Sequence, residues 1–352
     1  MDKIRIAMIG CGDIANKRHI PAYQNNPQAE IVYFCDIIRD RARHAAEKYG
    51  GGRVVTDFHD ILKDPSIDAV SICTPNNLHA IISIECLQAG IHVLCEKPAG
   101  RCFEEVLRMQ SVQHETGKIL NIGVVNRFNT SVNLIKNMID SGKLGEIYHV
   151  YVSFRAHRSI PGLGGDFTNK EISGGGVLID WGVHFLDIVM YCCGDPAPKT
   201  VSAETFSKLG LNLKTYAYKE MWSSEPKLDG VYTVEDSVAG LIRTNGPVIT
   251  LHGAWAQNIG EQEMYIDFMG DKAGIRLQYG KNFKIYTAKD GVLYDIQPEY
   301  RAYDHFQNEI DSFIRCVQTG VKLSSHIDTA IITAKMMQAI YDSANCHREI
   351  IL

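Results

Sequence analysis

Short apolar runs alternate with helix-length amphipathic stretches through the first third of the chain. Strands are predicted at Ile4–Ile9, Ile31–Cys35, Val54–Val55, Ala69–Cys73, Val93–Cys95 and Ile119–Ile122. Helices are predicted at Ile14–Gln24, Arg39–Tyr49, Leu78–Ala89 and Phe103–Thr116. The strands read as continuous apolar runs, as expected of a parallel sheet covered on both faces. Gly90 and Gly117 stand where helix C-caps belong. Regular β/α alternation of this kind predicts a doubly wound α/β fold.

The pattern changes near residue 125. A helix at Val132–Asp140 ends in Ser141-Gly142, and strands then dominate: Ile147–Phe154, Val201–Phe206, Ser237–Thr244, Val248–Trp255, Glu263–Phe268 and Gly274–Gln278. Several alternate apolar and polar residues, and turn signals such as Asn245-Gly246-Pro247 and Lys289-Asp290-Gly291 separate segments. This predicts a large, mostly antiparallel sheet with one face packed on helices, two of them at Asp304–Gln318 and Thr329–Asn345. Residues 208–230 show no clear period and read as a long loop with some local structure. The expected division is therefore a dinucleotide-binding Rossmann domain at 1–124 and an α+β domain at 125–352.

Length and charge narrow the function. A chain of 352 residues accommodates two domains. Its net charge of −5 gives no reason to expect nucleic acid or an anionic membrane as partner. The first strand starts within a few residues of Met1, which leaves no room for a signal peptide, and no apolar run is expected to reach the roughly 20 residues of a membrane span. A cytoplasmic protein is the simplest expectation. The ten cysteines include no Cys-x-x-Cys pair and no zinc-like spacing. They read as reduced core residues, and no metal is expected.

Three sequence features carry chemistry. Gly10-Cys11-Gly12-Asp13-Ile14-Ala15 follows the first strand and opens a helix. Such a turn lets backbone N–H groups approach a pyrophosphate at a helix N-terminus. Asp36 ends the second strand, where an acid hydrogen-bonds a ribose 2′-OH. Asp13 can serve the helix terminus electrostatically. Arg39 could pair with a 2′-phosphate, but Asp36 would repel that phosphate, so a solvated helix-start residue is the preferred reading. Thr74-Pro75-Asn76 follows the fourth strand at the same sheet edge, facing the cofactor, and His79 starts the next helix either as a cap or as a ligand contact.

Glu96-Lys97-Pro98 closes the fifth strand on that edge. A lysine there can hold an alcohol oxygen and lower its pKa, and Pro98 makes a cis bond possible. The third feature is Gly174-Gly175-Gly176, which opens an apolar helix with Asp180, His184 and Asp187 at i, i+4 and i+7. Histidine can accept an alcohol proton near neutral pH, and a carboxylate can orient it. Asp187 is equally readable as structural. Together these features point to hydride transfer between a nicotinamide cofactor and an alcohol carbon.

With those residues, and with Arg127-Phe128, the chain resembles the Gfo/Idh/MocA family along nearly its whole length. The resemblance implies a Rossmann domain followed by an open-faced α/β domain that often mediates oligomerisation, a dimer of dimers being favoured. It implies Lys97, Asp180 and His184 as the catalytic set, with Gly10, Gly12, Asp13, Ile14, Asp36, Arg39, Thr74, Pro75, Asn76, His79, Glu96 and Lys97 on the NAD side. Arg127, His157 and Arg158 are further substrate candidates beside Asp180 and His184; His157 and Arg158 end a strand ahead of a glycine-rich loop that could close over the site. The implied activity is NAD(H)-dependent oxidation or reduction of a secondary ring hydroxyl on a sugar or glycoside, such as C3. An inositol dehydrogenase is the close alternative, and a non-catalytic NAD-binding sensor is the alternative of another class. Segment 208–230 departs from any recognised pattern.

Overall fold

A computed structural model describes residues 3–352. The chain forms two compact units: 1–128 with 303–331, and 129–302 with 332–352.

The first unit holds a six-stranded, all-parallel sheet. Its strands are β1 (Ile4–Ile9), β2 (Ala29–Cys35), β3 (Arg53–Val55), β4 (Ala69–Ile72), β5 (His92–Glu96) and β6 (Leu120–Gly123), in the order β3-β2-β1-β4-β5-β6. The order reverses at β1/β4, so the carboxyl ends of those strands frame the crevice where such folds bind ligands. Strands β1 and β4 are almost wholly buried, which explains their unbroken apolar runs. Gly90 and Gly117 take φ of +82° and +64°, conformations that favour glycine and end the preceding helices.

The helix His305–Thr319 was expected in the second domain but belongs to the first unit. It buries Ile310, Phe313 and Ile314 against Ile6, Met8 and Phe34, and Asp311 accepts a hydrogen bond from Asn26 Nδ2 at 2.8 Å. An amphipathic helix shows that one face is buried, not which sheet receives it. The compact units divide at 128/129, and the chain returns to the first unit at 303–331.

The second unit is built on a nine-stranded sheet. To β7 (Ile147–Arg155), β8 (Pro198–Phe206), β9 (Ser237–Thr244), β10 (Val248–Ala254), β11 (Glu263–Gly270) and β12 (Ala273–Gln278) it adds β13 (Phe283–Lys289), β14 (Val292–Ile296) and β15 (Ile350–Ile351). The order is β14-β13-β12-β11-β7-β10-β9-β8-β15, and all pairs are antiparallel except β7/β10. Helices Thr130–Asp140, Val183–Cys192 and Ile327–Cys346 contribute to its core, with Ile135, Phe185, Leu186, Met336 and Ile340 beside Val150, Val152, Leu251 and Phe268. The run Lys170–Cys192 does have the length and apolarity of a membrane-crossing helix, contrary to expectation, but 72% of its apolar window is buried within the protein. Seven of the ten cysteines are buried, as small hydrophobes, and none of the ten is in a disulfide.

Candidate active site

In the first unit the glycine turn is shaped by close approach. Gly10 has φ +90°, and a Cβ there would lie 2.5 Å from the Cys73 carbonyl oxygen at the end of β4. Gly12 differs: a Cβ there would meet nothing within 4 Å, so the backbone offers an open approach. The following helix begins with a π-helical turn, Ala15–His19, an irregularity common at functional sites. Asp13 pairs with Lys17 at 2.7 Å, which offsets its negative charge beside the glycine turn.

Asp36 is buried. Its Oδ2 accepts the Cys11 N–H at 2.9 Å and its Oδ1 the Ile38 N–H at 2.8 Å, which fixes the carboxylate beside the glycine turn. Each oxygen keeps a lone pair for a ribose hydroxyl. Arg39 is exposed, at the start of the helix Arg39–Lys48. On β4's edge, Thr74 Oγ1 is buried with no protein partner, beside Pro75 and Asn76, which open the helix Asn76–Gln88. An open glycine face, an orphaned hydroxyl and a fixed carboxylate on one sheet edge fit the pyrophosphate and ribose of a dinucleotide. A separate cavity of about 530 Å³, lined by Lys3, Arg5 and Gly50–Arg53, holds none of these residues.

His79 is 1% exposed. Its Nδ1 lies 2.7 Å from the Pro98 carbonyl oxygen and its Nε2 2.9 Å from that of Thr74. Both partners only accept, so the imidazolium satisfies them best. Burial alone would lower its pKa, but Cys95 and the two carbonyls outweigh it and raise the value to about 9. His79 therefore ties the turn after β4 to the Lys97-Pro98 peptide, which is cis. Glu96 Oε1 meets His19 Nε2 at 2.8 Å, His19 Nδ1 meets Ser71 Oγ at 2.9 Å, and Glu96 Oε2 accepts the Lys97 N–H at 3.0 Å. Burial raises the Glu96 carboxyl, yet His19 and Lys97 bring it below the usual range. Glu96 thus holds the lysine's backbone. Arg127 is 2% exposed and donates through Nη1 to Ser324 O at 2.5 Å and Thr329 Oγ1 at 3.1 Å, bracing the unit from within.

In the second unit the triple glycine has a steric cause that the sequence does not show. A Cβ at Gly175 would lie 2.0 Å from Tyr341 Oη, and one at Gly176 1.9 Å from the Glu235 carbonyl oxygen. Glu235 caps this helix start, accepting the Gly176 N–H at 2.9 Å, the Leu178 N–H at 3.0 Å and the Tyr341 O–H at 2.9 Å. Burial holds its carboxyl above the usual range, and those donors only partly offset the shift. Glu235 and Tyr341 were missed from sequence because each lies far along the chain from the motif it supports.

The helix does not begin as the ideal α-helix that i, i+4 spacing assumes. Leu178–Gly182 is a π-helical turn containing Asp180, and His184 follows in the α-helix Val183–Cys192. From Val177 to Met190 only Asp180, Trp181 and His184 are partly exposed; Asp187, at 1%, is buried. The fully buried Trp255 donates from Nε1 to Asp180 Oδ2 at 3.3 Å. His184 lines a cavity of about 580 Å³ with Trp181, Phe185, Gln262, Met264, Gln278, Tyr279 and Lys281.

His157 and Arg158 secure backbone. His157 Nδ1 meets Gln257 O at 3.0 Å, and Arg158 donates to His157 O, Gln257 O and Asn258 Oδ1 at 2.6, 3.0 and 2.6 Å. The glycine-rich loop after them is laced to segment 208–230 and its flank, with Gly162 N–H to Trp222 O, Lys227 N–H to Leu163 O, and Val231 N–H to Gly164 O. The start of that segment is pinned by buried Asp236, whose Oδ2 accepts the N–H groups of Lys208, Leu209 and Gly210. The unrecognised segment is thus an ordered strap.

A family profile described as an oxidoreductase family with an NAD-binding Rossmann fold matches residues 4–124, and the GFO/IDH/MocA C-terminal domain matches 132–276. The D-glucoside 3-dehydrogenase of Escherichia coli K12 is 35% identical over 344 residues, covering 97% of this chain and 95% of that one. The chain belongs to the Gfo/Idh/MocA oxidoreductase family. This Gfo/Idh/MocA member is also similar to the NAD(+) scyllo-inositol 2-dehydrogenase of Bacillus subtilis 168, with 26% identity covering 94% of this chain and 91% of that one. Its fold matches that of levoglucosan dehydrogenase in complex with NADH, with a TM-score of 0.85, 22% identity and 99% of both chains covered. It is accordingly an NAD-binding oxidoreductase, built from a six-stranded Rossmann sheet and a larger, mostly antiparallel sheet.

Proposed function

We propose that the protein is an NAD(H)-dependent dehydrogenase acting on a secondary ring hydroxyl of a sugar or glycoside, with C3 of a glucoside the preferred position. The observation that carries this reading is the exposure pattern after the triple glycine: from Val177 to Met190 the buried helical run opens only at Asp180, Trp181 and His184. The match to a D-glucoside 3-dehydrogenase supports the substrate class. His184 accepts the hydroxyl proton, and Asp180, steadied by Trp255, orients the substrate or His184. Lys97, its backbone fixed by Glu96, stabilises the developing alkoxide. NAD, held at Gly10, Gly12, Asp36 and Thr74, supplies the hydride acceptor. Arg127, His157 and Arg158 are assigned to bracing.

Following cofactor absorbance across glucosides, free sugars and inositols tests this reading. We expect the highest kcat/KM with a glucoside, and NAD preferred over NADP by at least about tenfold, because Asp36 opposes a 2′-phosphate. Asp36→Ala narrows the cofactor preference. No turnover of any ring alcohol sinks the activity; a preference for NADP removes the role given to Asp36 and promotes Arg39.

The protein is further proposed to be cytoplasmic and a homo-oligomer, a tetramer by family resemblance. The far edge of the larger sheet supports association: every residue of β14 is exposed, with Leu293 at 84%, beside Tyr294 and Ile296. Apolar side chains on an open edge strand mark an association surface. Light scattering is expected to give a closed oligomer, and a monomer over a wide concentration range rules it out.

A further inference from the structure

The cavity beside His184 is larger and more specialised than proton transfer requires. Its floor is apolar: Trp181, the buried Phe185, Met264 and Tyr279, whose ring stacks on Phe185 at 4.6 Å and 23°. Its mouth is polar, with the exposed side chains of Gln262, Gln278 and Lys281. Every lining residue comes from the second unit. About 580 Å³ is in the range of sites for ligands of drug size, more than one reacting pyranose needs.

Trp181 has an unusual support. Trp222, from the strap, stacks on it with ring centroids 6.3 Å apart and planes at 20°. Phe167 meets Trp222 edge-on at 5.7 Å, and the Trp222 Nε1–H donates to Ser159 O at 2.9 Å. Gly162 has φ +44°, and a Cβ there would lie 2.5 Å from Ser224 Oγ, so the loops interlock at Trp222. A half-exposed tryptophan held this firmly presents a rigid face at little entropic cost, the feature that makes aromatic side chains effective anchors.

We propose that this cavity is an aglycone subsite: Trp181 is the platform on which the second ring of a glycoside lies, Gln262 and Gln278 take its polar groups, and Trp222 is the positioning residue for Trp181. The subsite rests on the dehydrogenase reading, since it places the substituent beside the hydroxyl that His184 deprotonates. It selects glycosides carrying a ring aglycone over free monosaccharides and cyclitols, which leave the platform uncovered.

The test compares phenyl β-glucoside, glucose and myo-inositol in the wild type and in Trp181→Ala, Trp181→Phe, Trp222→Ala and Trp222→Phe. It measures kcat and KM with NAD, and phenyl β-glucoside binding by calorimetry in the presence of NADH. Loss of an aromatic stacking partner is worth roughly two- to tenfold. Trp181→Ala is expected to raise KM for the phenyl glucoside by that factor beyond any change in the KM for glucose or myo-inositol, with a smaller effect on kcat than on KM. Trp181→Phe restores most of the loss. Trp222→Ala shows the same KM-selective effect, and Trp222→Phe rescues it. An equal loss for all three compounds, or a loss confined to kcat, overturns the subsite and leaves the activity standing. If the wild type oxidises none of them but binds the phenyl glucoside, and Trp181→Ala weakens that binding, the subsite stands and the hydride-transfer reading falls. A wild type that neither binds nor oxidises the glucoside overturns the subsite.

Discussion

His184→Ala lowers the rate of hydride transfer by about 10²–10⁴, the usual loss when a positioned general base is removed. The side chain is partly exposed on a largely buried helix, and it lines the cavity beside Trp181. The residues proposed to hold NAD, Gly10, Gly12, Asp36 and Thr74, lie in the other compact unit, so NAD affinity is expected to change much less. Lys97→Ala also lowers kcat. If both side chains act on one alcohol, the double variant loses less than the product of the single losses. Single-turnover hydride transfer with an NAD titration in parallel measures all of this. Near-normal transfer by His184→Ala, over a pH range where free hydroxide contributes little, refutes the assignment of the base.

Glu235→Ala destabilises the second unit by about 4 kcal/mol, because buried donors left without acceptors cost about 1–3 kcal/mol each and neighbouring losses do not simply add. The donors are the N–H groups of Gly176 and Leu178 and the O–H of Tyr341. The carboxylate also stands at a helix N-terminus, where negative charge is favourable. Tyr341→Phe removes one of the three and is expected to cost only about 1 kcal/mol. Because Gly176 and Leu178 lead into the turn carrying Asp180, Glu235→Ala also loses activity beyond its loss of folded protein; small displacements of reacting groups cost up to about 10² in rate. Calorimetric unfolding and kcat per folded molecule separate the two effects. An unchanged unfolding temperature in Glu235→Ala means the helix start is supported by something else.

Several candidate side chains find their partners far from the motifs that flank them. His79 could be read as a cap or a ligand contact; the structure makes it a clamp, since both its nitrogens meet backbone carbonyls, one of them 19 residues away. Arg127 and Arg158 carried a charge that suited a substrate, yet their guanidinium groups bond backbone and side-chain oxygens of their own units. A charged residue near a motif shows its chemistry locally, and its partner only in three dimensions. Strands β13 and β14 lie at the exposed edge of the sheet: only Phe283 among their twelve residues is buried, and β14 carries no apolar–polar alternation that marks a strand.

What the chain determines by itself is local. The glycine turn before a helix, the acid ending β2, the caps at Gly90 and Gly117 and the unbroken apolar strands are each set by backbone sterics or by burial within a few residues. The doubly wound sheet was therefore legible from residue order alone. Tertiary structure decided everything that depends on distant segments meeting. It returned His305–Thr319 to the first sheet through Ile310 and Phe313. It set Glu235 under a helix start 59 residues earlier in the chain. It stacked Trp222 on Trp181. Such pairings are selected by shape and by the need to satisfy buried polar groups across the whole fold, and no window of sequence contains both partners.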